Sequence, residues 1–168
     1  MIVMIKNEQF YLDFLKKNQP MLPDEELTEE TLKIYDDARV YFQQNPNKAC
    51  IPLFLNSFGE RDGLGVYQLV EEVFYDFSIE DMKEHLINAL SNKKGSIQYW
   101  CSRIASHFPC VEFIAHLEKL LYEGNFDIKC AVLDSLSLFD FHEARNAVSN
   151  FLKIEKDINI INHANELF

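Results

Sequence analysis

Ile97-Gln-Tyr-Trp-Cys-Ser-Arg-Ile-Ala-Ser-His-Phe108 places apolar residues at 97, 100, 101, 104, 105 and 108. Offsets of three and four repeated in this way put every apolar side chain on one helical face. The pattern returns 31 residues later, in Ile128-Lys-Cys-Ala-Val-Leu-Asp-Ser-Leu-Ser-Leu-Phe139, and stands 31 residues earlier, in Val66-Tyr-Gln-Leu-Val-Glu-Glu-Val-Phe-Tyr-Asp-Phe77. Phe77, Phe108 and Phe139 share one register. A fixed period between roughly 20 and 50 residues marks a solenoid.

Working outward, the segments between these stretches keep the same period. Met82, Phe113 and Ala144 are 31 apart, and so are Leu86, Leu117 and Val148, and Leu90, Leu121 and Leu152. Each is the apolar face of a first helix that precedes a second helix of the 66–77, 97–108 or 128–139 type. Residues 47–58 read as the first helix ahead of 66–77, joined to it by the loop Gly59-Glu-Arg-Asp-Gly-Leu-Gly65. Ser78 and Asp157 are expected N-caps, and Asp140 with Glu143 reads as a capping box. Upstream, residues 6–18 suggest a short helix, and Thr28 caps a helix running to about Asn45. All five glycines fall in expected turns, which suits an all-α chain.

The helix pairs resemble HEAT-type repeats. The stretch Asn125-Phe-Asp127-Ile128-Lys129, followed by Val132 and Leu136, is similar to that family's Asp, then Val-Arg, then Ala and Leu pattern at the start of the second helix. Tyr67, Gln98 and Lys129 stand where the family often has Arg, and the period of about 31 is shorter than usual. The resemblance implies a right-handed α-solenoid of HEAT-like pairs over 46–168, with 1–45 as an N-terminal helical cap of the same domain. It also implies a non-enzymatic protein-binding role, because such solenoids mostly bind macromolecules. Small acidic bacterial examples include immunity proteins, which block a toxin domain. Other relatives of this architecture serve as scaffold subunits, as DNA glycosylases or as lyases on tetrapyrrole chromophores.

Composition narrows these options. The 168 residues carry 16 basic and 27 acidic side chains, a net charge of −11. Residues 1–62 hold 7 basic and 11 acidic side chains and residues 63–168 hold 9 and 16. Such a body repels phosphates, which disfavours nucleic acid and a glycosylase, and it fits a basic protein partner; it also serves solubility. The cysteines at 50, 101, 110 and 130 form no C-x-x-C pair, and Cys101 falls on an apolar face, as expected of reduced thiols in a cytoplasmic protein. The opening run Met1-Ile-Val-Met-Ile5 lacks the basic and cleavage regions of a signal peptide, and no apolar run approaches the roughly 18–20 residues of a membrane span.

No catalytic constellation stands out. His85, His107, His116, His142 and His163 include no pair spaced by three or four, so no helical metal pair is expected. Glu71-Glu72 and Glu25-Glu26 are neighbours and point to different sides of a helix. The loop 59–65 lacks the Lys-Ser/Thr of a phosphate loop, leaving a turn between paired helices or a recognition loop. No cofactor or metal is expected.

Partner-binding candidates are the outward residues of the second helices, which in such a stack line the concave face. They are Tyr67, Gln68, Glu71, Glu72 and Tyr75, then Tyr99, Arg103 and His107, then Asp134. Tyr and Arg are enriched at binding hot spots. Glu72, Arg103 and Asp134 are repeat-equivalent, which reads either as an inter-repeat salt-bridge ladder or as a binding strip anchored by Arg103. Trp100, the only tryptophan, is expected in the core.

Overall fold

A computed structural model describes residues 6–168; the apolar opening run lies outside the described residues. Within them the chain is all-α, as expected. Ten helices follow in order: α1 (Glu8–Lys17), α2 (Glu29–Gln44), α3 (Cys50–Leu55), α4 (Tyr67–Val70), α5 (Ile79–Leu90), α6 (Gly95–Ala105), α7 (Val111–Glu123), α8 (Phe126–Ser137), α9 (His142–Leu152) and α10 (Ile158–Leu167). Short 3-10 turns span Asp24–Glu26 and Glu71–Phe74. The chain divides into two compact units, one reaching to His85 and one from Leu86 to Phe168, with the boundary inside α5.

Helix starts follow from short polar side chains that accept otherwise unpaired backbone N–H groups. Thr28 Oγ1 accepts the Thr31 N–H at 3.1 Å, and Asn7 Oδ1 accepts that of Phe10 at 3.0 Å. Asn125 Oδ1 accepts the Ile128 N–H at 3.0 Å, and Asp157 Oδ1 that of Asn159 at 2.9 Å. Ser78 and Asp81 cap reciprocally, each side chain accepting the other's N–H at 3.3 Å. The expected Asp140–Glu143 box does not form. Phe141 occupies the N-cap without a side-chain cap bond, and Asp140, one residue too early, faces Arg145 at 3.6 Å instead.

The period is visible in the backbone. The N–H groups of Phe77, Phe108 and Phe139 donate to the carbonyls of Phe74, Ala105 and Leu136 at 3.0, 3.0 and 3.1 Å, so each second segment closes with the same turn. All three phenylalanines are buried. The expected apolar face of α6 is buried throughout, at Ile97, Trp100, Cys101, Ile104, Ala105 and Phe108.

In the second unit α8 packs against α6, α7, α9 and α10, and α7 packs against α9. Leu133, off the expected face of α8, is therefore buried as well, and Ser135 is buried with no partner for its hydroxyl among the described residues. Lys129 on α8 reaches over the Phe151 ring of α9, 5.4 Å from its centroid, and donates to Glu155 Oε2 at 2.6 Å. Glu155 Oε1 accepts the N–H groups of Lys156 and Asp157 at 2.8 and 2.9 Å, which fixes the turn into α10. His163 on α10 meets Asp134 on α8 at 2.7 Å.

In the first unit α1 packs on α2 and α3, and α2 on the 3-10 turn Glu71–Phe74. Tyr35, Phe42, Phe54 and Phe74 are fully buried, with Phe54 edge-on to the other three rings.

The hydrogen bond from the Asp157 N–H, then Lys129, holds the Glu155 carboxyl down to about 2. A depressed folded value means stability that is present above the unfolded carboxyl range, about 4.3, and lost as pH falls toward the folded value. Glu155→Gln is expected to remove about 2 kcal/mol of stability at pH 7 and to narrow its gap to the wild type steadily from about pH 5 to pH 2. Urea unfolding of both proteins across that range checks this, and a gap that does not change with pH would refute it.

Candidate functional site

Two groups of the expected residues lie on separate units. In the first unit, the stretch read as one helix over 66–77 is a single α-helical turn followed by a 3-10 turn. A 3-10 turn advances 120° per residue, not 100°, so the faces drift from those of an α-helix. Tyr67, expected outward, is 1% exposed, and Leu69, expected in the core, is 37% exposed. The cause is the preceding loop. The Tyr67 hydroxyl accepts the Gly59 N–H at 3.1 Å, and its ring lies where a Cβ on Gly63 would come within 2.5 Å. Burial pushes the Tyr67 phenol up to about 12. Tyr67 is therefore a structural residue and leaves the set of surface candidates.

The loop itself holds an anion, supplied by the chain. Asp24 accepts the N–H groups of Gly63 and Leu64 at 3.1 and 3.4 Å, while Arg61 pairs with Glu25 at 2.6 Å. Arg61, Gly63, Leu64 and Gly65 all take positive φ, which shapes the cradle. Asp24 lies 39 residues before Gly63, and no local signal announces the contact.

Gln68 and Tyr75 remain exposed, Tyr75 at 52%. The Tyr75 hydroxyl donates to Glu71 Oε1 at 3.3 Å, and partial burial together with the Glu71 charge raises its phenol. Glu72 accepts from Gln43 at 3.1 Å and sits 3.8 Å from Arg39, whose Nε contacts Asp36 at 2.7 Å. Side chains up to His85 include 8 basic and 17 acidic, against 8 and 10 beyond it, so the acidity belongs mainly to the first unit.

In the second unit, Tyr99, Trp100 and Arg103 form one cluster on α6. The Arg103 guanidinium lies 5.9 Å from the Tyr99 centroid and 5.6 Å from that of Trp100, within cation–π range. The two rings meet edge-on at 5.1 Å, and the Tyr99 hydroxyl is 3.4 Å from Arg103 Nη1. Trp100 is 7% exposed, so it belongs to the core as expected while its ring lies under the Arg103 guanidinium. His107 is exposed just beyond the helix end, four residues on from Arg103. Asp134 is exposed and engaged by His163. The ladder reading finds no support within the second unit: Arg103 is turned to its own aromatic neighbours and Asp134 to α10.

Cys50 and Cys101 are buried, and burial drives both thiols up, Cys50 to about 12, away from the thiolate form a nucleophile needs. Among the described residues no group of three or more His, Cys, Asp or Glu is placed to hold a metal ion, and no helix is long and apolar enough to cross a membrane. A cleft of about 470 Å³ opens beside Phe139, Val148, Leu152 and Phe168, with Arg145 at its wall. No protein family, curated protein or solved structure matches the chain.

Trp100 thus supports both the core and the Arg103 guanidinium. Trp100→Ala is expected to cost about 3–5 kcal/mol in urea unfolding. A loss under about 1 kcal/mol would show that the ring is not packed as described.

Proposed function

We propose that the chain is a non-enzymatic, cytoplasmic protein-binding module whose helix pairs form a HEAT-like α-solenoid. The 31-residue register of buried positions and the packing of α8 on both α6 and α10 support the stacked arrangement. The observation that carries the binding role is the concentration of acid in the first unit, with exposed Tyr75 and Gln68 and half-buried Glu71 on one segment. An acidic surface with an exposed aromatic suits a basic protein partner, since complementary charge steers encounter and aromatic contact supplies affinity. The most concrete version is an immunity protein that masks a cationic toxin domain.

The test is capture of candidate cationic partners on immobilised protein, comparing wild type with Glu71→Lys/Glu72→Lys. Circular dichroism controls for folding, because Glu72 also holds Gln43 and Arg39. The expected result is a basic partner whose capture falls at least about fivefold on charge reversal and weakens with salt. Capture unaffected by reversal, or failure to capture any cationic protein, would overturn the proposal.

A further inference from the structure

Of the four arginines, three face carboxylates: Arg39 meets Asp36 and Glu72, Arg61 meets Glu25, and Arg145 meets Asp140. Arg103 differs. Among the described residues its contacts are the Tyr99 and Trp100 rings and the Tyr99 hydroxyl. In a chain with 27 acidic side chains this isolation is a property of the sequence as well as of the fold. No Asp or Glu occurs between Glu84 and Glu112, the longest stretch of the chain without one, and α6 lies wholly inside it.

The guanidinium is also pre-set. A free arginine loses several rotatable bonds of freedom when it binds, and contact with the buried Trp100 and half-buried Tyr99 rings removes part of that loss beforehand. The two rings flank the guanidinium at 5.9 and 5.6 Å and bring no carboxylate to it; a carboxylate is the group that matches a guanidinium with two parallel hydrogen bonds. The Tyr99 hydroxyl, beside Nη1, is placed to add a third polar contact.

We propose that Arg103, held by Tyr99 and Trp100, is a clamp for a single carboxylate, an aspartate or glutamate side chain on the protein partner. This rests on the protein-binding reading above and adds to it that a protein partner presents one acidic side chain to α6. A nucleic acid does not fit, because phosphate recognition draws on several cations and this body is strongly acidic. The charge pattern is also selective. A uniformly basic surface would place a cation against Arg103, and like-charge contact rejects it.

The test uses two short amidated peptides, one with a glutamate between two lysines and one with glutamine there, and inorganic phosphate as a third probe. In a 15N NMR titration of the full chain, the Arg103 Nε–Hε signal reports the clamp and the Glu71 and Tyr75 amides report the acidic segment. The expected result is tighter binding of the glutamate peptide by about three- to tenfold at the Arg103 signal. That preference should be absent in Arg103→Gln and mostly lost in Arg103→Lys, which keeps the charge but not the fork. Equal affinity of the two peptides, with shifts at Glu71 and Tyr75, would overturn the clamp and leave the basic-partner reading standing. No shift at any of these signals would overturn both. Phosphate moving the Arg103 signal at lower concentration than the glutamate peptide would assign the site to a free anion and overturn the clamp.

Discussion

The second unit depends on the burial of α8. This helix packs on four others, so burial extends beyond the single apolar stripe that its period predicts. Ile128, Ala131, Val132, Leu133 and Leu136 are all buried, and small Ala131 occupies the position that Trp100 fills one repeat earlier. Ser135, where the previous repeat has Ile104, buries a hydroxyl that has no partner among the described residues, and leaving such a group unmet costs about 1–3 kcal/mol. The polar residues left on α8 are used to tie its neighbours. Lys129 reaches Glu155 at the turn into α10, and Asp134 reaches His163 on α10 itself.

In the first unit the organising constraint is the loop 59–65. Gly59 and Gly63 leave room for the Met21 carbonyl and the Tyr67 ring, and Asp24 neutralises the N–H groups that the left-handed turn exposes. The segment following the loop is therefore set by what Tyr67 must reach, and helical periodicity comes second. The exposed Tyr75 and the acidic side chains beside it are displayed on a short, tight segment as a result.

This contrast explains what could be read in the sequence. Where burial alone decides, as on α6, period and apolar character agree, and each expected core position is found buried. The Tyr99–Arg103–His107 face followed from the same wheel. Where a distant polar contact decides, pattern fails. Tyr67 looked like a surface residue because it falls off the apolar offsets of the repeat, yet its hydroxyl has a buried N–H to accept. Asp24 looked like one acid among many until the fold brought Gly63 to it. The Glu72–Arg103–Asp134 row was legible as a row, but sequence spacing carries no information on rotamers, and Arg103 and Asp134 each find nearer partners. Likewise, the acidity looked evenly spread until the boundary inside α5 assigned most of it to the first unit.

Native-state hydrogen exchange on the second unit tests most directly whether α8 holds its neighbours together. The account predicts that buried amides of α6 and α8 exchange only through a shared opening, with the same free energy and the same urea dependence. Exchange of α6 through a separate, cheaper opening that leaves α8 protected would contradict it.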